Sequence, residues 1–143
     1  MNEQIANLFD EYSDVPSSLI GHEVLRNQLL PDLLGKEKDT ILYFMGKSLA
    51  RKYPCHTIDE VGTFFGAMSW GVLSLEKEKK KEYKFTLSGD LTQKRLKYKT
   101  PYNFRLEAGF IAEQVTLLQG VSAECAYECL HKKKSVTFTV MTT

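Results

Sequence analysis

The hydrophobic pattern changes period along the chain. Over 104–120, Phe104, Ala108, Ile111, Val115 and Leu118 recur at helical spacing, and Leu106, Phe110 and Leu117 widen the stripe. Beyond Gly120 the period falls to two: Val121, Ala123, Cys125, Tyr127 and Cys129 alternate with Ser122, Glu124, Ala126, Glu128 and Leu130. A helix laid across a hairpin is a core-forming unit, and this one is predicted to organise the domain.

Upstream, Ile5, Leu8, Phe9 and Tyr12 have helical spacing on a short segment that either docks or frays. Pro16, Ser17 and Ser18 punctuate the chain, with a serine placed as an N-cap. A first long helix is predicted over 18–34, with Leu25, Leu29 and Leu33 at four-residue steps and Ile20, Val24 and Leu30 beside them. Pro31 should kink or restart it, and Gly35 should close it. A second helix runs over 39–53, from Asp39 as N-cap to the stop at Pro54. Its apolar face is Leu42, Met45, Gly46, Leu49 and Tyr53. A glycine in mid-helix costs about 1 kcal/mol against alanine, so Gly46 predicts a close helix–helix approach.

Thr57 and Glu60 form a capping box that opens a third helix over 57–68, burying Ile58, Val61, Phe65 and Met68. A strand over 70–77, with Leu73 and Leu75 inward, pairs with one carrying Tyr83, Phe85 and Leu87. The charged run 76–82 reads as the hairpin tip, and the basic stretch 91–99 has no assignment. The last hairpin turns at 132–134 and returns through Val136, Phe138 and Val140. The order ααα-ββ-α-ββ predicts an α+β fold, with helices packed on a four-stranded antiparallel sheet. Residues 1–16 are set apart as an N-terminal extension, and 17–143 as a single domain.

Composition narrows the class. A chain of 143 residues is one domain by length and needs no disulfide or metal to fold. The net charge of +1 argues against a nucleic-acid binder, which is ordinarily strongly basic. Three cysteines without framework spacing fit reduced thiols in a cytoplasm. No apolar run reaches the length of a transmembrane segment, and the first basic residue is Arg26, so a signal peptide is not expected.

The chemistry-bearing residues form no catalytic constellation. Gly46-Lys47-Ser48 lacks the upstream glycine of a phosphate-binding loop, since Ile41 occupies that position. Cys125 and Cys129 on one strand lie about 13 Å apart, too far for one metal or one disulfide. His22, His56 and His131 fit no metal spacing; a haem, which needs one axial histidine, is not favoured. Glu107 and Glu113 point in different directions on their helix, and Glu107 reads as a partner of the helix dipole. The lysine-rich stretches 77–84, 94–99 and 132–134 read as solvated tips.

The segments VLRNQLLPDLLGK (24–36), ILYFMGKSLARKYP (41–54), WGVLSLEKEKKKEYKFTLSG (70–89) and FRLEAGFIAEQ (104–114) resemble the YslB-like family of small Gram-positive bacterial proteins. The element order is also similar to a wider superfamily. It holds vinyl-reductase-type ligand domains, Bet-three-like subunits of the TRAPP tethering complex and haem-binding nitric-oxide sensors. The resemblance implies a non-enzymatic module that holds a small hydrophobic ligand between helices and sheet. In the Bet-three-like subunits a cysteine before a helix is fatty-acylated. Cys55 is similarly placed, and a fatty acid or acyl chain would lie near Phe64, Phe65, Met68 and Trp70. The plainer reading is a loop cysteine without a role and aromatics that fill the core. A homodimer through the N-terminal helices is expected, and the alternative function is a homodimeric protein–protein adaptor with no ligand.

Overall fold

The computed structural model describes residues 3–15 and 18–143; Pro16 and Ser17, two of the residues read as punctuation, lie outside the described residues. Helices α1 (Glu3–Tyr12), α2 (Leu19–Val24), α3 (Leu30–Leu34), α4 (Lys38–Lys52) and α5 (Ile58–Ala67) come first. A hairpin follows, made of β1 (Val72–Lys79) and β2 (Glu82–Ser88). Then come α6 (Asp90–Arg95), α7 (Arg105–Gln119), β3 (Ala123–Leu130) and β4 (Ser135–Thr142). The strands make one antiparallel sheet in the order β1-β2-β4-β3, so the two hairpins join through β2 and β4. The expected α+β architecture is the observed one.

Alternation along the strands puts Tyr83, Phe85 and Leu87 of β2 and Val136, Phe138 and Val140 of β4 on one face. Ala108, Ile111, Ala112 and Val115 of α7 join the same buried core, and both flanks of α7 are buried as far as Val115, beyond which Leu117 of the predicted stripe is exposed. Gly120, left-handed at φ 71°, ends the helix by taking a conformation that costs other residues strain. The segment set apart as an extension contributes to this core, because Ile5 of α1 is buried and Phe9 lies against Phe64.

Several boundaries differ from expectation for identifiable reasons. Residues 76–79 belong to β1, and the tip shrinks to Lys80 and Lys81. Alternating lysine and glutamate here mark an edge strand that discourages further pairing. A register shift between Leu75 and Lys77 leaves Leu75 half-exposed. The unassigned stretch 91–99 begins as α6, whose Thr92 and Arg95 are buried. Asp39 does not cap α4; it sits in the first turn and accepts from Asn103 Nδ2 at 2.6 Å. Ser18 and the Thr57–Glu60 pair cap α2 and α5 as expected, with Glu60 accepting from His56 N.

The first long helix is interrupted in an informative way. A π turn over Leu25–Leu29 joins α2 to α3, with Leu30 N donating to Leu25 O. Pro31 lacks an N–H and its ring crowds the preceding carbonyls, so a wider turn just ahead of it relieves a helix that would otherwise break. The leucine stripe of this helix faces outward and Arg26 faces inward. Met45 of α4 is likewise exposed.

α4 and α7 cross closely. A methyl group at Gly46 would overlap the Leu106 carbonyl oxygen, and one at Gly109 would overlap the carbonyl of Tyr43. Two glycines thus let backbone touch backbone, as Gly46 predicted. Gly46→Ala and Gly109→Ala should each destabilise the fold by about 1–3 kcal/mol in urea unfolding, overpacking outweighing the gain in helix propensity. Gly66→Ala, in open space on α5, should be neutral or stabilising by up to about 1 kcal/mol.

Candidate functional site

Cys55 lies buried in the loop between α4 and α5. Gln114, buried on α7, fixes that loop: its Oε1 accepts from Cys55 N at 2.9 Å and its Nε2 donates to Tyr53 O at 2.8 Å. Burial, with a contribution from the charge of Glu60, pushes the Cys55 thiol up to about 12. Phe64, Phe65 and Trp70 meet in one cluster with Phe110. Phe64 stacks on Phe110 at 4.5 Å, and Trp70 stands edge-on to Phe65 at 5.0 Å and to Phe110 at 5.5 Å. Met68, which ends α5, packs on the edge of the same core. Cys55, Phe64, Phe65 and Trp70 thus belong to the one hydrophobic core that Met68 packs against, and none of the five lines either of two clefts on the molecule.

A second constellation escaped the sequence pattern. Arg26, from the π turn, reaches under the helical layer. Its Nη2 donates to Glu107 Oε1 at 2.5 Å and to the Asn103 carbonyl at 3.0 Å. The two side chains are 7% and 0% exposed, so the pair is withdrawn from water. Burial alone would lower the pKa of Arg26, but the charge of Glu107 and its hydrogen bond outweigh that and raise it. Asn103 completes the junction: its Oδ1 accepts from Arg105 N, which opens α7, while its Nδ2 holds Asp39 of α4. Glu107, read as a dipole partner, is in fact the buried counter-ion that receives α2.

Arg95 of α6 makes the parallel arrangement. Nε and Nη2 grip Glu23 in a bidentate pair at 2.9 and 2.8 Å, and Tyr98 Oη donates to the same carboxylate at 2.7 Å. Nη1 and Nη2 also donate to the Trp70 and Ser69 carbonyls, respectively. Ser69 holds a φ of 58°, so Arg95 also braces a turn in which a side chain is uncommon. The Tyr102 ring lies within 4.8 Å of the Arg26 Cζ and 5.0 Å of the Arg95 Cζ, joining the two pairs through cation–π contact. Burial raises the pKa of Tyr102. The Tyr102 hydroxyl and Glu107 Oε2 are buried without a hydrogen-bond partner.

Two clefts open beside this network. The outer one, about 580 Å³, runs between α2 and the α6 region and is walled by Leu19, Ile20, Val24 and Leu91, with Lys94 and Lys99 also on its lining. The inner one, about 220 Å³, lies over Arg26, Lys38, Tyr102 and Tyr127. Both include Asn27 and Thr100, so they adjoin at the π turn. Among the described residues no cluster of His, Cys, Asp and Glu is placed to hold a metal ion, and no helix is long and apolar enough to cross a membrane.

Removing one partner of the buried pair leaves an uncompensated charge. Arg26→Met or Glu107→Leu should each cost about 3–5 kcal/mol in urea unfolding, and the double substitution should recover most of that loss. Burial raises the pKa of Glu23, but hydrogen bonds from Arg95, Tyr98 and His22 and the charge of Arg95 hold it at about 2 against an ordinary 4.5. Its contribution to stability is therefore full above pH 4.5 and lost as pH falls towards 2. Glu23→Gln should flatten the loss of thermal stability across that window.

The fold and the sequence each have known relatives. A vinyl-4-reductase family protein from Methanocaldococcus jannaschii shares the fold at a TM-score of 0.70 and 17% identity, over 100% of this chain and 97% of that one. A trafficking protein particle complex subunit 3 from Naegleria fowleri, covalently bound to palmitic acid, aligns at a TM-score of 0.44 and 13% identity, over 96% of this chain and 90% of that one. In sequence, the uncharacterized protein YslB of Bacillus subtilis is 36% identical over 133 residues, covering 93% of this chain and 89% of that protein. The family model described as a protein of unknown function, DUF2507, matches residues 19–141, and the chain belongs to that family.

Proposed function

We propose that the protein is a non-enzymatic interaction module that forms a homodimer through the outward face of α2, α3 and α4. The exposure of Leu25, Leu29 and Leu33, at 58%, 57% and 81%, carries this reading. Large aliphatic side chains at four-residue steps leave apolar surface in water that a partner helix removes, at about 25 cal/mol per Å². Ile20, Phe44 and Met45, each more than half exposed, enlarge the surface. A second copy is the occupant that the charges favour. The chain carries a net charge of only +1, so copies repel weakly, and Asp32, Lys36, Glu37 and Lys38 give this end of the helix both signs.

The interior supports the same reading. The aromatic cluster of Phe64, Phe65 and Trp70 fills its own space against Phe110, so a ligand there would have to open the Phe64–Phe110 stack. Acylation of Cys55 would have to ionise a thiol that its surroundings hold near 12. Burial pushes the Cys125 and Cys129 thiols up as well, which makes poor nucleophiles of all three cysteines.

Sedimentation equilibrium across a range reaching roughly 100 μM tests the proposal, because a modest dimer with a micromolar Kd is fully formed there. A dimer that becomes monomeric on combining Leu29→Asp with Leu33→Asp, at unchanged Tm, is the expected outcome. A monomer at the highest concentration, or a dimer indifferent to both substitutions, would overturn it.

A further inference from the structure

The adjoining clefts at the π turn border the proposed dimer face at Ile20 and Lys38 and carry a charge pattern of their own. The inner cavity is lined by two cations, Arg26 and Lys38, and by no carboxylate. Arg26 spends only Nη2 on Glu107 and Asn103 among its described hydrogen bonds, which leaves the other edge of its fork uncommitted. Glu107 is neutralised by that contact and is not on the cavity lining, and Asp39, next to Lys38, is engaged by Asn103. Tyr102 is almost fully buried at the same cavity, with its hydroxyl unpartnered. Such an orphaned donor in a folded interior calls for a partner that the chain does not supply. The outer groove has the opposite character: Leu19, Ile20, Val24 and Leu91 make it apolar, and its one carboxylate, Glu23, is taken by Arg95 and Tyr98.

The helix itself explains why the two meet. A π turn carries one more residue per turn than an α turn, and such turns recur at binding sites because they displace side chains from the helical register. Here the turn swings Arg26 inward while Asn27 stays on the boundary shared by cavity and groove.

We infer that this double cleft binds a small amphiphilic anion, with its carboxylate or phosphate group on Arg26 and Lys38 and its apolar body along Leu19, Ile20, Val24 and Leu91. An ionised acceptor against a guanidinium makes the stronger class of hydrogen bond, while the apolar groove selects against a bare ion. The site is separate from the aromatic cluster and needs no cysteine.

Isothermal titration calorimetry on the full chain with three probes decides the matter. Octanoate presents both features, octanol the chain without the charge, and inorganic phosphate the charge without the chain. Octanoate should bind one per chain, at least about tenfold tighter than either of the others. Lys38→Gln, at an exposed position, and Arg26→Lys, which keeps the charge that Glu107 needs but loses the fork, should each weaken octanoate by about tenfold. Circular dichroism verifies that both variants are folded, and Lys38→Gln alone suffices if Arg26→Lys is not. Equal binding of octanol, equal binding of phosphate, no heat with octanoate, or octanoate binding unchanged in Lys38→Gln would each overturn the inference.

Discussion

The buried contact between Arg26 and Glu107 is the constraint on which the helical layer depends. Two charges taken out of water cost several kcal/mol each unless they meet in good geometry and their remaining groups are bonded. This pair meets the first condition and recruits backbone for part of the second: the Asn103 carbonyl takes the second bond of Nη2, and the Asn103 side chain in turn opens α7 and holds Asp39 of α4, while Glu107 Oε2 stays without a hydrogen-bond partner. Three helices are therefore registered at one point. Once α2 is anchored through Arg26, its leucines have only the outward side left to them. The exposed stripe is a consequence of the buried charge.

The second pair gives the same logic a longer reach. Arg95 binds Glu23 of α2 and also the carbonyls of Ser69 and Trp70, which lie where α5 turns into β1. The first helix, the connector after the first hairpin and the aromatic corner of the core are thus tied by one guanidinium. Tyr102, between the two arginines, makes the pairs one assembly. An interior of this kind specifies one arrangement strongly, because any partial opening strands a charge in apolar surroundings.

These features explain what could be read from the sequence. Strands β2, β3 and β4, the wide stripe of α7, the capping box at Thr57 and Glu60 and the close approach at Gly46 all follow local rules that the structure keeps. Periodicity reports which residues share a face; it does not say which face is inside. For Leu25, Leu29 and Leu33 the spacing left the facing open, and the structure turns the stripe outward. Glu23 and Arg26, three apart in this helix, were the available signal, but the same spacing describes an ordinary solvated face. Their partners Arg95 and Glu107 lie 72 and 81 residues away, beyond the reach of any local pattern. The cluster of Phe64, Phe65 and Trp70 was legible as apolar and aromatic, yet whether aromatics enclose a void or fill it is a matter of three-dimensional packing.

The π turn reconciles these demands. Pro31 cannot continue a regular helix, and a regular helix would not place Arg26 inward while keeping Leu25, Leu29 and Leu33 at the surface on both sides of the proline. Adding one residue to the turn answers both requirements at once. It absorbs the missing donor ahead of Pro31, and within it the inward position belongs to Arg26, a side chain long enough to reach Glu107. The same turn sets Asn27 where the polar and apolar clefts meet. A residue that looks like a helix breaker in the sequence is therefore part of the device that turns one helix into three surfaces: an anchor facing in, a leucine face directed outward, and a cleft wall between them.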